Sequence, residues 1–179
     1  MALRIAAQHI GLQLDTVLST PRGAPNLPRQ FVGSISHKRR IAVALIDLLA
    51  PSQPSPHQPS AVTVGVDVEE LDHQWTELAR LVLDREEIDH VESLPDTERS
   101  RAIATAFSVK ESVFKSIDPH VQRYVWFREA RVFVKDDHRA DVVMRLREQG
   151  RSFDVDARWD TKCGHIVTSV RTHLRNSSV

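Results

Sequence analysis

Apolar and polar positions alternate most strictly from Val62 to Glu69. Val62, Val64, Val66 and Val68 take one face, and Thr63, Gly65, Asp67 and Glu69 take the other. A period of two predicts a strand. Its valines should face a core, its two acids should share the opposite face, and Gly65 should leave open room beside them. Farther on the period becomes helical. Ile103, Phe107, Phe114 and Ile117 recur on one apolar face, with Lys110, Glu111 and Lys115 placing charges close to it. The pattern predicts a long helix over 97–117, opened by Pro95-Asp96-Thr97 and closed by Asp118-Pro119.

Shorter signals fill in the remainder. A helix is predicted over 2–10, with Leu3, Ala6, Ala7 and Ile10 on one side and Gly11 as its stop. Residues 20–30 carry three prolines and a glycine, which excludes helix and central strand. Phe31 to His37 and then a strand over Ile41 to Leu48 follow, with Ser36 and His37 as polar residues between the two. Residues 50–60 are proline-rich and read as a long exposed hairpin loop, mobile and dispensable. Two short helices are expected around 74–82 and 85–92, the second capped by Asp84 with Glu87 three residues on. Four β signals close the chain: Ala130 to Val134, Val142 to Arg147, Ser152 to Trp159 and His165 to Arg171. Turns at Asp136-Asp137, Gln149-Gly150 and Lys162-Cys163-Gly164 separate them. The fold class is therefore α+β.

Composition narrows the function classes. The chain has 179 residues, of which 41% are hydrophobic and 27% charged, enough for one folded domain or two small halves sharing a core. Formal net charge is zero, so no overall field favours nucleic acid, although Lys38-Arg39-Arg40 could hold a small anion. The longest apolar run, Ile41 to Ala50, is too short for a membrane span and contains Asp47. Cys163 stands alone, which rules out an internal disulfide and a cysteine-rich zinc site. No secretory signal is evident, and the cytoplasm is the default compartment.

The candidate chemistry lies in three carboxylates. Glu111 and Lys115 are four apart on the long helix and so neighbours on its surface, which alone would be an ordinary solvated pair. Asp67 and Glu69 on the strand change that reading. If all three acids face one cleft they repel, and a hard divalent cation relieves the repulsion. Magnesium takes oxygen ligands and completes its shell with waters and substrate phosphates. Lys110, Lys115 and His37 would meet those phosphates. The residues thus point to a magnesium-dependent site for a phosphate-containing small molecule, with phosphodiester hydrolysis and phosphoryl-type transfer both open.

Three ordered motifs then resemble a known family. Gly65-Val66-Asp67-Val68-Glu69 is similar to its G-x-D-x-E motif. Phe107 to Lys115, about forty residues downstream, is similar to its (F/W)-x-x-K-E-(S/A)-x-x-K motif. Gly33-Ser34-Ile35-Ser36-His37 is similar to its serine-histidine motif. The family is the 4′-phosphopantetheinyl transferases, and the resemblance is greatest to the branch typified by enterobactin synthetase component D, which Tyr124 to Val134 also fits.

The resemblance implies transfer of the phosphopantetheine arm of coenzyme A to a serine of an acyl or peptidyl carrier protein, with release of adenosine 3′,5′-bisphosphate. It implies Mg²⁺ on Asp67, Glu69 and Glu111, with Glu111 taking the serine proton and Lys115 on the phosphates. It places Lys110 as a further phosphate contact, Ser36 and His37 at the 3′-phosphate, Gly23 and Pro25 beside the adenine, and Arg4 on a phosphate. Arg22 joins them on charge and proximity. The implied fold is a pseudo-two-fold pair of halves, 1–60 and 61–179, each a small antiparallel sheet packed on a long helix, in a monomer. Coenzyme A lies between the halves and the carrier protein docks along about 112–134, where Lys115, Arg123, Arg128 and Arg131 would steer its acidic surface. The helix at 2–10 is expected to begin partway into the first half, leaving that half truncated at its N-terminus. Two other functions fit parts of the pattern: a non-catalytic relative that binds carrier protein or coenzyme A, and an unrelated magnesium phosphodiesterase. The second lacks the extra acid or histidine cluster of a two-metal site.

Overall fold

The computed structural model describes residues 1–49, 60–71, 74–147 and 151–175. The proline-rich loop expected at 50–60 and the turn at Gln149-Gly150 fall almost wholly outside the described residues. A helix, α1 (Ala2–His9), packs on a hairpin of β1 (Phe31–Lys38) and β2 (Ile41–Leu48). The hairpin register pairs Phe31 with Leu48 and Lys38 with Ile41. Next come β3 (Val62–Glu70), α2 (Trp75–Val82), α3 (Arg85–Glu92) and the long α4 (Asp96–Val121). Strands β4 (Ala130–Val134), β5 (Arg139–Met144), β6 (Ser152–Lys162) and β7 (His165–Arg175) complete an antiparallel sheet of order β3-β7-β6-β5-β4. Mixed helix and antiparallel sheet is what the pattern predicts.

Strand β3 is where the predicted pattern and the structure part. Both faces are buried from Thr63 to Glu69. Val64, Val66 and Val68 are covered as expected. The opposite face, carrying Thr63, Gly65, Asp67 and Glu69, lies under α4 rather than in solvent. Opposed residues of an antiparallel pair share a face, so Thr172, Val170, Thr168 and Ile166 of β7 line the same surface. Gly65 leaves no open room. A Cβ there would stand 1.8 Å from the Ser112 carbonyl oxygen, so the absence of a side chain is what lets the α4 backbone touch the strand. Hydroxyl groups satisfy the polar surface trapped by this close approach. Ser108 Oγ and Ser112 Oγ both bond Thr168 Oγ1, at 2.9 and 2.7 Å, and Thr63 bonds Thr172 at 2.7 Å.

Helix α4 runs through Pro119, past the predicted stop at Asp118, and ends at Gln122, whose φ of 52° makes a left-handed cap. Proline disfavours helix in the residue before it. Burial of Ile117, His120 and Val121 outweighs that local preference. Ser36 and His37 lie within β1 rather than between strands.

The main core lies between α4, the sheet and the short helices. Trp75, Phe107, Phe127 and Phe114 form a chain of tilted ring contacts at 5.2–5.7 Å between centroids. Asp84 and Glu87 form the predicted capping box of α3: Asp84 Oδ1 accepts from the Glu87 N–H, and Glu87 Oε2 accepts from the Asp84 N–H. That carboxylate does more than cap. Glu87 Oε2 also takes a bond from Lys110 Nζ at 2.8 Å, and Oε1 takes one from the Val132 N–H. Arg131 binds Asp84 and Glu86, which leaves it buried and paired instead of free to steer a partner.

Candidate active site

Val66 pairs with Ser169 of β7, yet its N–H and C=O both take partners from other elements. The N–H donates to Ser34 Oγ of β1 at 3.1 Å, and the C=O accepts from Lys115 Nζ at 3.1 Å. Strand β1 is thereby fastened beside β3, and Lys115 is fixed at the seam. The same ammonium donates to Asp67 Oδ1 at 2.8 Å and to Ser36 Oγ at 3.1 Å. Ser36 donates to Asp67 Oδ1 at 2.8 Å, and Ser108 donates to Asp67 Oδ2 at 2.9 Å. Asp67 is thus a buried carboxylate held by two hydroxyls and an ammonium, with all three partners set by backbone elements.

Glu69, two residues on along the same face, is buried and takes the Lys38 ammonium at 2.8 Å. Burial pushes its carboxyl upward from the ordinary range, Lys38 opposes that shift, and Asp67 adds to it. Glu111 on α4 is also raised, first by burial and then by Asp67, with a smaller push from Glu69 and opposition from Lys115 and Lys38. Asp67, Glu69 and Glu111 therefore share one electrostatic neighbourhood. They feel one another's charge without standing together as ligands. Among the described residues no group of three His, Cys, Asp or Glu side chains is assembled to hold an ion. The donor set suits a hard divalent cation: carboxylate oxygens that repel and are already drawing in positive charge. Two lysines supply that charge here, Lys115 on Asp67 and Lys38 on Glu69.

Beside these groups opens a cavity of about 350 Å³ lined by Arg22, Gly23, Pro25, Ser34, Glu111 and Lys115, among others. Arg22 closes one side of it by gripping both carboxylate oxygens of Asp118 through Nε, at 3.0 and 2.8 Å. A second cavity of about 600 Å³, sharing Gly23, Pro25 and Ile35 with the first, lies against α1 and is lined by Arg4. Gly23 adopts a φ of 85° in the turn between them, a backbone that side chains resist. Of the residues singled out from sequence, the first cavity gathers Glu111, Lys115, Arg22, Gly23, Pro25 and Arg123, and the second adds Arg4.

Other expectations need correcting. Lys110 does not reach this cleft. It is fully buried and donates to Glu87, to the Val82 carbonyl at 2.8 Å and to the Phe127 carbonyl at 3.1 Å. Burial lowers its pKa and Glu87 opposes that shift. His37 is exposed on β1, on the strand face opposite Ser36, and lines neither cavity. Lys38 and Arg39 meet Glu69 and Glu70, at 2.8 and 3.6 Å, rather than forming an anion patch. Arg123 is taken by Glu129, whose carboxyl stays low, at about 2. Burial opposes that shift, but Arg123 and the N–H groups of Trp126 and Arg147 outweigh it.

Sequence reasoning missed Ser108, Ser34 and Asp118. Ser108 had a readable signal, since it lies three residues before Glu111 and seven before Lys115. Ser34 and Asp118 act through contacts between distant segments, which no local pattern announces.

A fold of antiparallel sheet and long helix, with a carboxylate-and-lysine cleft at its seam, fits an enzyme of phosphate-containing substrates. Residues 63–164, more than half the chain, match the 4′-phosphopantetheinyl transferase superfamily, and residues 1–47 match the N-terminal domain of 4′-phosphopantetheinyl transferases. The chain belongs to the 4′-phosphopantetheinyl transferase superfamily and is an enzyme of that transferase class. Its fold is similar to that of ACPS from Chronobacterium ammoniagenes. The apo structure is 15% identical with a TM-score of 0.52, covering 64% of this chain and 97% of that one. The ACPS–CoA complex is 17% identical with a TM-score of 0.51, covering 65% and 100%. At such identities the likeness concerns the fold. No curated protein sequence matches the chain. Among the described residues no helix is long and apolar enough to cross a membrane.

Proposed function

We propose that this chain transfers the 4′-phosphopantetheine arm of coenzyme A to a serine hydroxyl of an acyl or peptidyl carrier protein, with Mg²⁺ as cofactor. The observation that carries this reading is the seam itself: Glu111 and Lys115 at one cavity, with Lys115 fixed on Asp67. In the transfer the serine oxygen bonds to the phosphorus that carries the pantetheine arm. The bond from that phosphorus to the bridging pyrophosphate oxygen breaks, and adenosine 3′,5′-bisphosphate leaves. Glu111 accepts the serine proton. Its raised pKa makes it a better base than an ordinary exposed carboxylate. Lys115 places a fixed positive charge where the leaving oxygen gains negative charge. Asp67, Glu69 and Glu111 would hold the cation, which neutralises pyrophosphate charge when bound.

Residues 1–60 form the coenzyme A side in this reading and 61–179 the cation and carrier side. The cavity at Arg4, Gly23 and Pro25 takes the nucleotide end. The branch is the one typified by enterobactin synthetase component D, acting as a monomer in the cytoplasm. The test is to incubate the protein with coenzyme A, Mg²⁺ and an apo carrier protein, then weigh the carrier. Gain of one phosphopantetheine per carrier serine is expected; an unchanged carrier mass under all conditions refutes the reading.

A further inference from the structure

The two lysines that neutralise the acids are held in different ways. Lys115 is pinned by Asp67, Ser36 and the Val66 carbonyl, and moving it would break three hydrogen bonds. Lys38 reaches in from the end of β1 to the Glu69 carboxylate, with its side chain still 42% exposed. It can leave into water by rotating about its own stem, without moving the strand. Glu69 cannot follow, being buried on β3 under α4. The charge count points the same way. With Lys38 withdrawn, the three carboxylates face one ammonium group, and the excess of two negative charges matches a divalent cation.

Resting on the cation reading above, we propose that Lys38 is a built-in competitor for the metal at Glu69. It occupies that carboxylate in the free enzyme and must swing out before a divalent cation can bind all three acids. Lys38 therefore sets the affinity for metal. In this proposal it is a positioning residue that acts through the Glu69 carboxylate.

The test titrates the full-length protein with Mn²⁺ alone, without coenzyme A or carrier, and reads free Mn²⁺ by electron paramagnetic resonance. Lys38→Met is expected to tighten Mn²⁺ binding roughly tenfold, and Lys38→Arg to bind no tighter than wild type. A double-mutant cycle then assigns the effect to Glu69: in a Glu69→Gln background, Lys38→Met should give no tightening. Thermal melts of each variant check that the chain stays folded. Equal or weaker binding by Lys38→Met, or a gain that persists without the Glu69 carboxylate, overturns this proposal and leaves the cation reading standing. Absence of Mn²⁺ binding in wild type and all variants overturns both.

Discussion

One helix presents two lysines five residues apart, and they serve opposite ends. Lys110 lies in a closed floor: it has no exposure, its three acceptors are fixed, and rings of Phe107, Phe114 and Phe127 surround that side of α4. Lys115 lies in an open cleft, beside a cavity, on an aspartate that is shared with two hydroxyls. Five residues at 3.6 per turn place the two ammonium groups on well-separated faces. The contrast shows that a charged motif on a helix need not be one functional unit. One lysine seats the helix, and the other, from the position so secured, is the one we propose acts on the phosphates.

Removing the proposed base, Glu111, should have the largest effect. Glu111→Gln keeps shape and burial but cannot accept the serine proton. Transfer should fall by roughly 10²–10⁴-fold, with the melting temperature unchanged or slightly raised because a half-buried, partly repelled carboxylate is gone. Turnover within a few-fold of wild type would remove Glu111 from its role.

Lys110→Met should invert that outcome. It leaves the Glu87 carboxylate buried without its ammonium, a loss of about 3–5 kcal/mol for a broken buried pair. Denaturant unfolding should detect it. A phosphate contact would behave otherwise, raising KM for coenzyme A and leaving stability alone.

Gly65→Ala tests how the floor and cleft are joined. The added Cβ meets backbone at Ser112, so α4 must shift away from β3, at a cost of about 1–3 kcal/mol for overpacking. Because Lys115 and Glu111 ride on α4 while Asp67 rides on β3, the same change should lower kcat without abolishing binding. A fully active, fully stable alanine variant would mean the helix is free to slide.

Much of this contrast was present in the sequence. The helix, its apolar face and the valine alternation follow from local periodicity and the Asp84–Glu87 cap from residue type; the valines and the cap appear where predicted, while the helix continues past its predicted stop to Val121. Lys110 also gave a signal, since spacings of three and four from Phe107 and to Phe114 put it inside the apolar stripe. The motif resemblance implies a phosphate contact there instead. Periodicity tells which face Gly65 takes and not that the α4 backbone covers it. The partners of Lys38, Ser34 and Asp118 depend on how β1 and the 20–30 loop meet the rest of the chain. Hairpin register and loop closure decide that, and neither leaves a local imprint.

The smallest effect is expected at the rim, where the cleft is most open. Arg22 and Asp118 are joined side chain to side chain across 96 residues, and the arginine side chain is 46% exposed. Exposed ion pairs add little to stability, so Arg22→Ala should leave the melting temperature nearly unchanged. Its consequence should instead be kinetic: the loop that carries Gly23 and Pro25 is untied from α4, and KM for coenzyme A should rise roughly tenfold or less with kcat unchanged. Two causes could produce that rise, loss of the tether or loss of a direct phosphate contact by the guanidinium. Asp118→Ala separates them. It unties the loop while leaving Arg22 free to meet a phosphate, so a tether predicts the same rise in KM as Arg22→Ala. A direct contact predicts no rise, or a fall, because an arginine released from its carboxylate is more available to an anion.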